Sequence, residues 1–81
     1  EKIFPNPIAD HFFVEIDAEA RFVIFFELID ILGKPVQKWE PRPVLSGIQR
    51  IKLDVNDHHS GIYLLRAQIG DDDVVFRVRK V

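Results

Sequence analysis

The sequence contains no cysteine, no methionine and no threonine, and it has only four glycines. Without cysteine there is no disulfide, no thiolate ligand for a metal and no thiol nucleophile. Serine occurs only at Ser46 and Ser60, and neither lies in the G-x-S-x-G pattern of a nucleophile elbow. The glycines do not form a phosphate-binding loop. These absences argue against an enzyme and against a bound cofactor.

An excess of one charge and long apolar runs are also missing. The formal net charge is −2 with both signs mixed along the chain, which argues against a basic nucleic-acid-binding face. No apolar run approaches the roughly 18 residues that a membrane-spanning helix needs. The hydrophobic content of 47% exceeds that of a disordered tail, so residues 1–81 are expected to form one globular domain. The chain begins with Glu1 and not with Met, which indicates a processed product or a piece of a longer protein.

β-Branched and aromatic residues cluster or alternate with polar residues between turn signals, a pattern that predicts strands. The strands are expected at residues 3–4, 12–16, 21–29, 34–39, 48–55, 62–69 and 74–78. A polar bend is expected at 17–20, and Pro41 and Pro43 are expected to break regular structure because proline lacks a backbone donor. Short strands with turns at fairly regular spacing predict an all-β protein, and specifically a β-sandwich.

The histidines His11, His58 and His59 do not predict a metal site. Adjacent side chains on an extended chain point to opposite sides, so His58 and His59 are poorly placed to share one ion. The acidic run 71–73 is a second candidate, for calcium, but consecutive carboxylates rarely converge on one cation. We expect no bound metal, and a solvated acidic turn at 71–73 that discourages pairing between sheet edges.

Two aromatic residues are candidates for a contact with a ligand or a partner. Trp39 lies next to the segment of Pro41 and Pro43, where it could stack on a sugar or a peptide; capping one end of the core is the alternative. Phe25 shares a strand face with Glu27 and could be an exposed docking contact, or it could pack against a second sheet. The sequence leaves both questions open.

Three separated segments carry a resemblance to a known family. They are Ile3-Phe4-Pro5-Asn6-Pro7, Asp30-Ile31-Leu32-Gly33-Lys34-Pro35-Val36 and Ser60-Gly61-Ile62-Tyr63-Leu64-Leu65-Arg66. A closing segment of basic and aliphatic residues, 75–81, follows them. Together and in this order, the segments resemble the C-terminal sorting domain of the type IX (Por) secretion system, and the resemblance covers the whole chain.

The resemblance implies an immunoglobulin-like β-sandwich of about seven short, mostly antiparallel strands at the C-terminus of an exported bacterial protein. It implies an N-terminal cargo domain that passes through the periplasm and then through an outer-membrane translocon, which recognises the sorting domain. A sortase-like cysteine protease commonly removes the domain and attaches the cargo to the cell surface. The expected function is therefore a non-enzymatic secretion signal. The alternative is a small adhesion or carbohydrate-binding module of an extracellular protein.

The first two family segments suggest roles for their turn-forming residues. Pro5 and Pro7 hold the residues before them, among them Asn6, in an extended conformation and remove hydrogen-bond donors from a sheet edge. Asp30 and Gly33 are expected to fix a hairpin turn, since Asp can accept a hydrogen bond from the backbone two residues on and Gly accepts a positive φ.

The backbone around these turns carries two further expectations. Because Pro35 follows Lys34, strand pairing after the turn is expected to begin one residue later than in the family. Gly61 is expected to permit an unusual backbone angle or close packing before Tyr63. The ring of Tyr63 is expected to be buried while its hydroxyl bonds to backbone.

Basic residues near the end of the chain are the candidate recognition determinants. Arg66, Arg79 and Lys80 are expected to be outward-facing charges. Arg77, Arg79 and Lys80 cluster at the end of the last strand, which is an accessible edge of a tag. The hypothesis is that the translocon recognises the last strand with these basic residues.

Overall fold

The computed structural model describes residues 2–5, 7–55 and 57–81, and this part of the chain is all-β. The strands are β1 (Lys2–Phe4), β2 (His11–Ala18), β3 (Phe22–Asp30), β4 (Pro35–Lys38), β5 (Arg42–Val44), β6 (Gly47–Asp54), β7 (Gly61–Ile69) and β8 (Asp72–Lys80). The all-β prediction is confirmed. No helix that could cross a bilayer occurs within these described ranges.

The strands form two antiparallel sheets that pack face to face. One sheet has the order β1-β2-β6, and the other has the order β4-β3-β7-β8, with β5 also paired to β3. A parallel bridge also joins Ile8 to Lys80, outside the named strand pairs. Two antiparallel sheets around one core make a β-sandwich, which fits the immunoglobulin-like architecture implied by the resemblance.

The core lies between the sheets and is built from the inward positions of alternating strands. Phe12, Val14 and Ile16 of β2 are buried, while their neighbours on the strand are more exposed. Other fully buried side chains come from both sheets: Ile24, Leu28, Leu53 and Leu65. Burial of each large apolar side chain contributes roughly 1.5–3 kcal/mol, so these positions hold the two sheets together.

Strand β5 corrects the sequence-based expectation that residues 40–43 break regular structure. Val44 and Pro43 pair with Phe22 and Val23 of β3. An edge strand tolerates proline because its nitrogen needs no partner on the solvent side. Burial of Val44 in the core explains why this short segment is held against β3.

Each of the seven predicted strands also differs from the observed one by one or two residues at one or both ends. The polar bend expected at 17–20 starts later, because β2 continues to Ala18, which pairs with Gly47 and is buried. After the next turn, β4 begins at Pro35 and not at Lys34, as the Lys34-Pro35 sequence predicted. The register shifts at this point, between Leu28 and Ile29 of β3.

Replacing a core phenylalanine should cost far more stability than replacing an exposed one. Phe12→Ala leaves a cavity between the sheets, and we expect it to lower the free energy of unfolding by about 3–5 kcal/mol. The matched control is Phe25→Ala, because Phe25 is 46% exposed and its truncation should change stability by no more than about 0.5 kcal/mol. Urea denaturation of both variants measures the difference; equal losses would contradict this placement of the core.

Candidate recognition surface

The turn between β3 and β4 is built around Asp30. Its Oδ1 accepts hydrogen bonds from the backbone N–H groups of Leu32 and Lys34, both at 2.9 Å. Its backbone N–H donates to the Lys34 carbonyl at 2.9 Å, and its carbonyl accepts from Gly33 at 3.0 Å. Gly33 has a φ of 87°, which favours glycine. The structure confirms the predicted geometry of the turn at Asp30 and Gly33.

The same turn holds two aliphatic side chains in solvent, which the sequence analysis did not single out. Ile31 is 73% exposed and Leu32 is 89% exposed, although both are large and apolar. The Asp30 hydrogen bonds fix the backbone that carries them. Their apolar character in a polar turn segment was the available signal.

Removal of the Asp30 carboxylate should destabilise this turn. Asp30→Ala loses two hydrogen bonds to backbone N–H groups, and we expect the free energy of unfolding to fall by about 1–2 kcal/mol. Asp30→Asn keeps an acceptor oxygen at the same place, so its loss should be less than about 1 kcal/mol. Thermal unfolding of the two variants measures this difference; an Asp30→Ala variant as stable as the parent chain would contradict the role of the carboxylate.

Tyr63 and the loop before β7 are tied together. The Tyr63 ring is buried, and its hydroxyl donates to the His59 carbonyl at 2.7 Å. Gly61 has a φ of 157°, which favours glycine, whereas a Cβ at this position would lie 3.9 Å from Tyr63 Cε2, an ordinary contact distance. These observations confirm the geometry expected of Tyr63. His58 lies 2.6 Å from the Gln37 side-chain oxygen, so this part of the loop also contacts β4.

Ile8, which directly follows the N-terminal family segment, joins the end of the last strand through backbone hydrogen bonds. The N–H of Ile8 donates to the Arg79 carbonyl at 2.7 Å, and the Ile8 carbonyl accepts from the N–H of Val81 at 2.9 Å. Ile8 is also fully buried in the core. The residue that follows Pro7 therefore clamps the end of β8. The sequence analysis missed this role because the contact joins residues more than 70 positions apart.

A shallow depression of about 310 Å³ lies beside this clamp, lined by Pro7, Ile62, Arg77 and Arg79. Both arginines are exposed, and no carboxylate within residues 2–5, 7–55 and 57–81 lies within ion-pair distance of either one. The depression therefore combines two apolar side chains with two guanidinium groups that have no carboxylate partner among the described residues. It joins residues from the first and last family segments and from the start of β7.

Pro5 and Asn6 are the other candidate residues of the first segment. Pro5 is exposed and follows β1, which ends at Phe4. This position fits the expected termination of an edge strand by proline. Asn6 lies outside the described residues.

Lys80 is not the outward charge that the sequence analysis expected. It has the same inward orientation as Val78 on β8, and it is only 8% exposed. No fully buried polar side-chain atom of the described residues lacks a hydrogen-bond partner, so the Lys80 ammonium group reaches solvent. The aliphatic stem is covered while the charged end emerges, a common arrangement for lysine at the border of a core.

Arg66 faces outward as expected, but it belongs to an ion-pair network on the outer face of the larger sheet. Its Nε and Nη2 donate to the two carboxylate oxygens of Asp73 at 2.9 and 2.6 Å. Its Nη1 lies 3.8 Å from Glu27, and Lys38 lies 3.5 Å from the same carboxylate. The hydrogen bond from Arg66 lowers the pKa of Asp73 and reciprocally raises the pKa of Arg66. The expected solvated acidic turn at 71–73 is therefore wrong in part, because Asp72 and Asp73 belong to β8 and Asp73 is bound by Arg66.

Phe25 and Trp39 lie together beside this ion-pair network. They line a depression of about 170 Å³ with Glu27, Arg66 and Gln68 among its other walls. Trp39 is half-buried and packs against the core, while Phe25 is largely exposed. The structure thus favours core capping for Trp39 and exposure for Phe25. Among the described residues, no three side chains of His, Cys, Asp or Glu are arranged so that they could hold one metal ion.

Comparison with known proteins identifies the family. The sequence matches the family described as secretion system C-terminal sorting domain over residues 2–80. No curated protein and no solved structure matches the chain significantly. The match covers nearly the whole chain and supports the sorting prediction, and it does not favour the alternative of a carbohydrate-binding or adhesion module. The two-sheet fold, the ordered family segments and this match agree, and the chain belongs to the C-terminal sorting domains that direct proteins to type IX secretion.

Proposed function

We propose that this chain is a non-enzymatic sorting signal. Its recognition surface is the depression lined by Pro7, Ile62, Arg77 and Arg79, here called the basic end. The family is one of sorting signals for exported proteins and implies an attached cargo and contact with the secretion machinery. The finer proposal is that the outer-membrane translocon binds the basic end after the protein has entered the periplasm. A sortase-like cysteine protease then separates the domain from its cargo.

The observation that carries this proposal is the convergence of the first and last family segments at one exposed place. The bonds from Ile8 to Arg79 and Val81 hold these segments together. A receptor that binds here contacts both ends of the domain at once, so it recognises the folded sandwich and not merely a terminal peptide. Exposed arginines without a described carboxylate partner are well suited to bind acidic groups on a receptor.

The basic end contains no arrangement suited to catalysis. It combines two guanidinium groups with a proline and an isoleucine. Guanidinium groups remain protonated and so do not act as general bases. Recognition, and not chemistry, is the role that these side chains support.

Charge reversal tests this proposal better than truncation does. Deletion of residues 77–81 would remove the buried Val78 and both bonding partners of Ile8, so loss of secretion would also follow from unfolding. The double variant Arg77→Glu and Arg79→Glu alters only exposed side chains. In a bacterium with the secretion system, a reporter that carries a signal peptide and this domain measures the exported fraction.

We expect the double variant to reduce the exported fraction about tenfold, as a loss of about 1.4 kcal/mol in recognition would do. The matched control is Arg21→Glu with Lys52→Glu, which changes net charge equally at exposed positions away from the basic end. This control should be exported like the parent. Unchanged export of the Arg77 and Arg79 double variant, with a normal melting temperature, would contradict the proposal.

A further inference from the structure

The outer edge of β8 has free backbone hydrogen-bonding groups. Strand β8 pairs with β7 on one side in an unbroken antiparallel register from Gly61↔Lys80 to Ile69↔Asp72. In such a ladder, alternate residues direct their N–H and C=O groups to opposite edges. Ile8 bonds to the carbonyl of Arg79 and to the N–H of Val81, which shows that the odd-numbered residues direct these groups outward.

Three odd-numbered residues of β8, namely Asp73, Val75 and Arg77, therefore present their N–H and C=O groups at the open edge. No backbone group of the described residues bonds to them on that side. This open window ends at Ile8 on one side, and on the other side it ends at the turn of Gly70 and Asp71. Its length matches that of an ordinary short strand.

The sheet edges at β1, β4 and β5 are protected against strand addition. Strand β1 has three residues and ends before Pro5, while β4 and β5 contain Pro35 and Pro43. Short edge strands and proline are common ways to prevent pairing with another chain. At β6, the Gln37 side chain donates to the Asp54 carbonyl at 3.0 Å. Strand β6 is also a long edge strand without proline, but its Arg50 and Lys52 are already paired with Glu15 and Asp54. On β8, in contrast, Arg77 has no carboxylate partner among the described residues.

The side chains along the window favour an acidic and aliphatic guest. Asp73 is already bound through both oxygens by Arg66. Arg77 has no described carboxylate within ion-pair distance, and Val75 is 55% exposed on the same face. The available charge is therefore positive, and it lies beside an exposed aliphatic side chain.

We propose that β8 binds an extended strand from a protein of the secretion machinery, which adds to the sheet with an aliphatic side chain beside Val75 and a carboxylate beside Arg77. Main-chain hydrogen bonds give such strand addition its affinity, and alternate side chains give its specificity. This inference rests on the proposed sorting function and names the form of the partner.

A second copy of the chain is a poorer guest for the same window. Two β8 strands paired antiparallel about Val75 would place Arg77 of each copy opposite Asp73 of the other. That carboxylate is already bound by Arg66, at 2.9 and 2.6 Å. A partner strand with its own unpaired carboxylate offers Arg77 a stronger contact.

The binding experiment uses a synthetic peptide of about eight residues in which valine and glutamate stand two positions apart, with serine between them, so that both can lie on the face of Val75 and Arg77; the control peptide has lysine in place of glutamate. Amide NMR shifts of the 81-residue chain report where each peptide binds. We expect the acidic peptide to shift Asp73, Val75 and Arg77 in a saturable manner and the basic peptide to have no such effect. Shifts that lie elsewhere, or equal binding of the two peptides, would overturn the proposal.

Val75→Pro removes one outward N–H from the edge without removing a bond to β7, and Val75→Ala is its matched control because it keeps that N–H. We expect Val75→Pro to bind the acidic peptide about tenfold more weakly than Val75→Ala, since one main-chain bond is lost and the ring crowds the edge. Equal binding by the two variants would overturn the proposal. Their melting temperatures show whether both remain folded.

Export of the reporter fusion separates failure of this inference from failure of the sorting function. If the parent fusion is exported and Val75→Pro falls well below Val75→Ala, strand addition is supported. If both variants are exported like the parent, the edge inference fails while the sorting function stands; if the parent fusion is not exported, the sorting function itself fails. Sedimentation is the last check, because a concentration-dependent dimer that Val75→Pro abolishes would make a second copy the guest and overturn the proposal.

Discussion

The two backbone hydrogen bonds of Ile8 determine how the last strand ends. Strand β8 has only β7 as a full partner, so its final residues would otherwise lie at a one-sided edge. Ile8 bonds to Arg79 and Val81 at the outer edge of β8, and its side chain is buried in the core. Both contacts hold the end of the strand in place. The position of Arg79 and the covered stem of Lys80 both depend on these contacts. A strand that pairs on one side is prone to local opening, and the bonds from Ile8 oppose such opening.

The edge strands of the sandwich differ in how well they are protected against pairing with another chain, and this difference supports β8 as the recognition edge. Proline and short length protect β1, β4 and β5, whereas β8 is long and has exposed arginines along its outer face. Charge on an edge strand is itself a common protection against aggregation. Here, however, Asp73 is neutralised by Arg66, while Arg77 has no such partner among the described residues. An edge that offers a second copy no free carboxylate for Arg77, and that attracts an acidic strand, is suited to selective recognition.

The sequence was most informative where structure depends on neighbouring residues. Period-two alternation identified the buried faces of β2 and β6, because side chains on a strand point alternately to its two sides. Asp30 and Gly33 identified the hairpin, because a side-chain acceptor and a positive φ act within four residues. The all-β class follows from the same local signals.

The sequence was least informative about contacts between distant segments. Lys80 was expected to point outward because it is charged, although its even spacing from Val78 indicated the inward face; the length of its stem resolves the conflict. The bridge from Ile8 and the meeting of Phe25 with Trp39 arise only when separate strands are assembled. Local propensity also gave no reason to place Pro43 in a strand, since tertiary packing of its neighbour Val44 holds β5 on β3.

Hydrogen exchange at the Ile8 and Val81 amides tests whether the backbone bonds of Ile8 hold the end of β8 in place. Both N–H groups donate to backbone carbonyls in the clamp, at 2.7 and 2.9 Å. We expect both amides to exchange slowly, at rates close to that of the Leu65 amide in the central strand β7. Exchange of Ile8 and Val81 as fast as that of the exposed turn amides, in a chain whose Leu65 amide is protected, would contradict this expectation.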